Sequence, residues 1–368
     1  MKKIVVDAYL AKNLGDDLFL HILFNRYKDN DVKWVINVYN DEYSKILKEF
    51  KNVEVKKRNI IYRGLFRSKI LRKLIYNSES KRYDGLVIIG GSIFMQKFTW
   101  REQLRRTDER IKNLKKNEKK VFILGANFGP FKDEQFKENY RDIFRNCHDV
   151  CFRDEKSYNY FKNEGNVRLG SDVVFTLTEE NNKVDDSIGI SLIDISDREE
   201  LKEYSKDYKE KIVEIVNYNI DKGRHITLFS FCEKQGDLSI AQEIYDLAKD
   251  KGNIRIANYE GDIRGYLSLF GSMEVIIGVR FHSIILSQVF NQGIYPLIYN
   301  EKTFNILKDI GLYENYTNIE NVKNLNVHTL DKVMYRNKIN DISAIMKKSE
   351  IQFTELDRFI YKGSNDEK

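Results

Sequence analysis

At 368 residues, with 42% hydrophobic and 32% charged side chains, the chain is long enough for two domains with separate cores and has the makeup of a soluble globular protein. Two prolines and twenty glycines exclude a fibrous or low-complexity chain. The net charge of +6 suits anionic substrates or a phospholipid surface and is too modest to mark a nucleic-acid-binding protein.

Residues 3–9 read as a strand, and the helix expected over 17–27 follows a turn in which Gly15 permits the bend and Asn13 and Asp16 are capping types. The first apolar stretch is too short for a signal peptide, and no run is long enough to span a bilayer. Residues 32–38 form the next expected strand. The stretch 51–73 is unusual: it holds nine Lys or Arg against the single acid Glu54. Ile60, Ile61, Leu65, Phe66, Ile70, Leu71, Leu74 and Ile75 recur through it at roughly helical spacing. It reads first as a surface helix with an apolar face on the core and a solvated basic face, and alternatively as a helix lying on anionic lipid or a lipid-linked substrate.

Residues 86–89 are a buried-strand pattern ending in Gly90-Gly91-Ser92. Residues 121–124 repeat it and end in Gly125-Ala126-Asn127-Phe128-Gly129-Pro130. Residues 150–152 lead into Arg153 and a helix through 161, and 167–169 lead into Gly170-Ser171-Asp172. After a polar linker at 178–186, strands and helices alternate again to about residue 310, followed by helical patterns over 332–359. This alternation predicts an α/β fold of two doubly wound, Rossmann-like domains facing a cleft. The expected division is 1–180, 187–330, and a C-terminal stretch of 331–368 that packs back on the first domain.

Strand ends are where open α/β sheets place their chemistry. Gly278-Val279-Arg280-Phe281-His282-Ser283 follows one such strand. Arg280 offers a cationic fork for phosphate or carboxylate, and His282 is the side chain suited to moving a proton near neutral pH. Gly90, Gly91 and Ser92 offer amides and a hydroxyl to an anion or polar group, or serve only a turn. Arg153 either pairs with a neighbouring acid or binds an oxyanion, and Asp172 caps a turn or orients a hydroxyl or the histidine. No dinucleotide, phosphate-loop or nucleophile-elbow motif is present. The remaining histidines form no spaced cluster, so no metal and no cofactor are expected. The three cysteines, Cys147, Cys151 and Cys232, form no metal motif and fit a reducing, cytoplasmic setting.

The order Asn13-x-Gly15-Asp16-Asp17, Gly90-Gly91-Ser92, Gly125-x3-Gly129-Pro130, Arg153-Asp154-x2-Ser157, Ser171-Asp172 and Gly278-x-Arg280-x-His282 resembles the polysaccharide pyruvyl transferase family. The resemblance implies a GT-B-like fold and transfer of a pyruvyl unit from phosphoenolpyruvate to a sugar, usually leaving a cyclic ketal. It implies that Arg280 and the backbone of Phe281 hold the donor, that Arg153 is a second donor-binding arginine, and that His282 is the general acid. Asn13, Asp16, Gly90, Gly91, Ser92 and Asn127 fall on the family's motifs as substrate-binding candidates, and Asp172 and Asp16 are candidates for the general base. Phe281 replaces the usual leucine, Ser92 a common third glycine, and Asp17 a common glutamate.

The implied acceptor is a sugar or lipid-linked saccharide of cell-surface polymer synthesis, handled in the cytoplasm or at the inner face of its membrane. Peripheral contact with anionic lipid goes with the basic stretch, and nucleic acid is not an expected partner. Oligomeric state is not legible. Two rival readings are a nucleotide-sugar glycosyltransferase and a non-catalytic binder of glycan or partner enzyme.

Overall fold

In the computed structural model, which describes residues 1–39, 41–59, 64–179 and 181–361, the strong apolar runs become strands of two parallel sheets. The chain divides into two compact units. Residues 1–10, 19–176 and 346 onward form the first, and 11–18 with 177–345 form the second.

The first unit contains β1 (Lys2–Asp7), most of α1 (Leu14–Arg26), β2 (Val32–Val38), α2 (Asp41–Ile46), β3 (Val53–Lys57), α3 (Lys69–Arg82), β4 (Gly85–Ile89), α4 (Trp100–Lys116), β5 (Lys120–Ala126), α5 (Glu134–Phe144), β6 (Asp149–Phe152), α6 (Glu155–Phe161) and β7 (Val167–Leu169). Its seven strands lie in the order β3-β2-β1-β4-β5-β6-β7, so the winding reverses between β1 and β4. Leu86, Val87 and Ile89 are buried because a parallel strand is covered by helices on both faces and therefore needs a continuous apolar run. Asp133 and Asp154 begin α5 and α6 by accepting the amides of Gln135 at 2.9 Å and Ser157 at 2.8 Å. Phe94, Phe128, Phe136, Tyr140, Phe144 and Phe161 pack edge-on or tilted between these helices and the sheet.

The second unit has β8 (Val184–Ser191), α7 (Ser205–Asp221), β9 (His225–Ser230), α8 (Asp237–Leu247), β10 (Ile254–Asn258), α9 (Ile263–Gly271), β11 (Met273–Gly278), α10 (Phe281–Val289), β12 (Gly293–Ile298), α11 (Glu301–Asp309), β13 (Thr317–Asn318) and α12 (Val327–Met334). The strand order is β10-β9-β8-β11-β12-β13, with its reversal between β8 and β11. Gly278 and Ser191 are register partners at that point. The chain ends in α13 (Ser343–Glu350) and α14 (Thr354–Tyr361). Here Arg26 pairs with Asp357 at 2.7 Å, and Gln352 accepts from Gly125 N at 2.8 Å while donating to Ser171 O at 2.9 Å. Among the described residues no helix is long and apolar enough to cross a membrane.

Three expectations change. Residues 11–18, read as part of a first domain over 1–180, group with the second unit, because Leu14 N bonds to Phe231 O at 3.0 Å and Tyr259 Oη to Asp17 at 2.9 Å. The second unit also runs past 330 to 345, since Val327, Leu330 and Met334 belong to its core. The basic stretch 51–73 is not one helix. Val53-Glu54-Val55-Lys56-Lys57 alternates, and becomes the edge strand β3, where lysines guard an open edge. Residues 60–63, including Ile60, Ile61 and Arg63, lie outside the described residues. On α3 the expected polarity is inverted: Arg72, Tyr76 and Ser80 are buried, and Ile70 and Leu74 face solvent.

Candidate functional site

In the first unit, the motif residues gather at the carboxyl ends of four adjacent strands. Gly90, Gly91 and Ser92 follow β4, Asn127 follows β5, Arg153 follows β6, and Asp172 lies beyond β7. Arg153 is 3% exposed and its guanidinium is bound on two sides, by Asp172 Oδ2 at 2.6 Å and Asn127 Oδ1 at 2.7 Å. Ser92 Oγ also donates to Asn127 Oδ1, at 3.1 Å. Asp172 is fully buried and takes the amide of Val174 on its other oxygen at 2.9 Å. Gly91 is required by this packing: a Cβ there would stand 2.7 Å from both terminal nitrogens of Arg153. Of the two readings of Arg153, the structure shows the ion pair. The partner is Asp172 rather than the neighbours Asp154 and Glu155, and Asp154 instead caps α6. The geometry gives Asp172 the task of holding Arg153.

The second unit carries the other cluster, at the ends of β8, β9 and β11. Ser191 Oγ receives the amides of Val279 at 2.9 Å and Arg280 at 3.2 Å and donates to Ser283 Oγ at 2.7 Å, which fixes the turn into α10. Arg280 does not project as an open fork. It is 6% exposed; its Nε donates to Asp237 Oδ2 at 2.8 Å, its Nη1 to Gln235 at 2.5 Å, and its Nη2 to the other oxygen of Asp237. Asp237 is itself anchored by the amides of Phe231 at 3.0 Å and Cys232 at 2.9 Å. Burial opposes the charge of Arg280, but Asp237 and Tyr299 outweigh it, so its pKa is raised and it stays cationic. Sequence reasoning missed Asp237, Gln235 and Ser191. Asp237 follows Gly236 at a helix start, where an acidic residue is ordinary, and nothing along the chain ties it to an arginine 43 residues away.

His282 lies in the first turn of α10, with the Phe281 ring centroid 5.0 Å from its own. Lys302 Nζ stands 4.2 Å from the Phe281 ring, which adds a cation beside the helix start. The imidazole rests on Gly15: a Cβ at that glycine would fall 2.0 Å from His282 Nδ1. Asn13 Oδ1 caps Gly15 N at 3.0 Å, and its carbonyl takes the amides of Asp16 at 3.0 Å and Asp17 at 2.9 Å, so this tight turn holds the glycine under the histidine. Residues 13–17 and 278–283, which begin and end the motif series, therefore form one site.

The first unit also has a cavity of about 450 Å³ over the carboxyl ends of β1 and β2. Tyr39, Phe66 and Tyr76 supply aromatic surface, and Asp7, Glu79 and Arg110 a polar wall. Arg110 is ion-paired with Asp7 and Glu79. Burial works against its charge and the two carboxylates more than restore it, so its pKa is raised.

Two parallel doubly wound units with polar clusters at their strand ends define a two-domain protein of the GT-B-like class. Solved structures agree. UDP-GlcNAc 2-epimerase from Methanocaldococcus jannaschii superposes with a TM-score of 0.62 at 12% identity, covering 97% of this chain and 99% of that one. The UDP-GlcNAc 2-epimerase of Neisseria meningitidis gives 0.60 at 12% identity over 97% and 99%, and MurG of Acinetobacter baumannii 0.51 at 12% over 98% and 100%. At these identities the likeness is one of fold. The family is fixed by sequence: residues 13–301 match the polysaccharide pyruvyl transferase family, and the chain belongs to it. A curated relative, the amylovoran biosynthesis protein AmsJ of Erwinia amylovora, is 22% identical over 274 residues. That match covers 67% of this chain and 64% of the relative, so the chain spans less than two thirds of the relative's length.

Proposed function

We propose that this protein transfers a pyruvyl group from phosphoenolpyruvate to a sugar of a cell-surface polysaccharide or cell-wall polymer intermediate, in the cytoplasm where the donor is made. The observation that carries the reading is the meeting of Gly15 and His282, because it brings the first and last motifs within the family match together around a side chain suited to moving a proton near neutral pH. In the reaction, His282 gives its proton to the methylene carbon of the donor, and positive character develops at the adjacent carbon. A sugar hydroxyl attacks that carbon and loses its proton to a base. The carbon–oxygen bond to phosphate then breaks, phosphate departs with the electron pair, and a second hydroxyl attacks the same carbon, giving its proton to the departing phosphate as the ketal closes. Protonation by a positioned histidine is worth about 10²–10⁴-fold in rate.

The donor is a dianion or more at neutral pH, and the start of α10, with Lys302 beside Phe281, supplies positive potential for it. Arg280, locked to Asp237 and Gln235, acts by fixing the backbone of 280–283, and Arg153 does the same for Gly91 and Asn127. The cavity over β1 and β2 in the first unit has the lining of a sugar site, with aromatic faces for a ring and the Asp7–Arg110–Glu79 group for hydroxyls. A lipid-linked saccharide is the acceptor form we favour.

Calorimetric titration tests the donor. Wild type is expected to bind phosphoenolpyruvate saturably, His282→Asn to bind nearly as well, and Lys302→Gln to bind about tenfold more weakly. If wild type binds uridine diphosphate and not phosphoenolpyruvate, the protein is a glycosyltransferase and this reading is wrong.

A further inference from the structure

Helix α3 buries its polar side and exposes its apolar one. Arg72, Tyr76 and Ser80, spaced four apart, point inward, and Arg72 is fully buried against Glu109, with 2.8 Å between Nε and the carboxylate and 2.8 Å from Nη1 to Phe66 O. On the opposite side Ile70 is 74% exposed, Leu74, one turn on, 58%, and Leu71 beside them 39%. Scattered exposed apolar residues are ordinary, but three on two successive turns of one helix face are a patch. The exposed Arg67, Lys69 and Lys73 flank it, and no acidic residue occurs between Glu54 and Glu79.

We propose that this face of α3 docks the protein on an anionic phospholipid surface, with Ile70, Leu71 and Leu74 entering the boundary between headgroups and acyl chains and the three basic residues meeting lipid phosphates. Charge decides the occupant. A surface that joins apolar insertion to cations without an ion pair among the described residues complements anionic lipid, whereas a second copy of the same face would bring like charges together. The arrangement also redraws which charges take part. Arg72, which a count of basic residues would include, is committed to Glu109 and is not available to lipid. The proposal stands apart from pyruvyl transfer, and its test involves neither donor nor acceptor.

The test is co-sedimentation of the full chain with vesicles of phosphatidylcholine alone and of phosphatidylcholine with phosphatidylglycerol. Binding is expected only to the second. Lys69→Gln with Lys73→Gln should weaken it about fivefold for each charge removed. Ile70→Ser with Leu74→Ser should weaken it at least tenfold with an unchanged melting temperature, because both side chains are already in water. Equal recovery of wild type on the two vesicles overturns the proposal. So does wild-type binding by the serine variant, which would reduce the contact to charge alone. Self-association lost in the serine variant while vesicle binding persists would assign the face to a second copy and overturn it as well.

Discussion

At the scale of single residues, two glycines define the site by what they leave out. Gly15 lies in the first turn of α1, where alanine is the better helix former, so Gly15→Ala has no intrinsic reason to unfold the turn. Its methyl group would, however, occupy the position of the His282 ring. The imidazole must move by about 1 Å or more, a misplacement that can cost about 10²-fold in rate. We expect Gly15→Ala to lose pyruvyl transfer on that order while its melting temperature and phosphoenolpyruvate affinity stay near wild type. A variant with full activity would show that His282 does not act from the seat described. His282 and Gly15 were both visible in the sequence as motif residues; that they touch was not, because 267 positions separate them and only the fold brings them together. The arginines show the reverse. Residue type alone suggested an open fork at Arg280 and left Arg153 between an ion pair and an oxyanion site, but a guanidinium at a buried strand end has to be neutralised before it can do anything else, and Asp237 and Asp172 do this.

At the scale of elements, the buried parallel strands were legible because burial on both faces leaves a run such as Leu86 to Ile89 with no polar position. Edge strands carry no such mark: three of the five residues of β3 are charged, and β13 has two residues. The C-terminal helices were legible as helices only. That Gln352 would bond to Gly125 and Ser171 depends on polar atoms that become buried only once the sheet exists. A comparable anchor in the second unit makes a pH prediction. Asp331 on α12 receives Lys222 Nζ at 2.5 Å and pairs with Arg224. Burial opposes ionisation of Asp331, but the bonds from Lys222 and Arg224 prevail, so its pKa is lowered. A carboxylate with a depressed folded pKa stabilises the fold above its unfolded pKa of about 3.9, and that contribution is lost as pH falls through the folded value. Asp331→Asn should therefore melt below wild type at neutral pH, and the gap should close as pH drops from about 4 toward the folded pKa. A gap that is the same at both ends of that range would mean the charge of Asp331 contributes nothing.

At the scale of the whole molecule, each unit has its own sheet, its own apolar cluster and a buried arginine–aspartate pair. Removing one partner of such a pair leaves a buried charge without compensation and costs about 3–5 kcal/mol. Against a stability of about 5–15 kcal/mol for a domain, that is a large fraction, and for a unit of this size it corresponds to a melting shift of roughly 6–20 °C. Asp172→Ala strikes the first unit and Asp237→Ala the second. If the two cores unfold as separate cooperative blocks, calorimetry resolves two transitions in wild type, Asp172→Ala lowers one, and Asp237→Ala lowers the other. We expect this pattern, since the apolar cluster around Ile190 is drawn from the second unit and the one around Phe128 from the first. A single transition lowered equally by both variants would show that the units melt as one block. In that case a lesion at Asp237 would reach Gly91 and Asn127 as readily as it reaches His282, and losses of activity in either variant would have to be read as global.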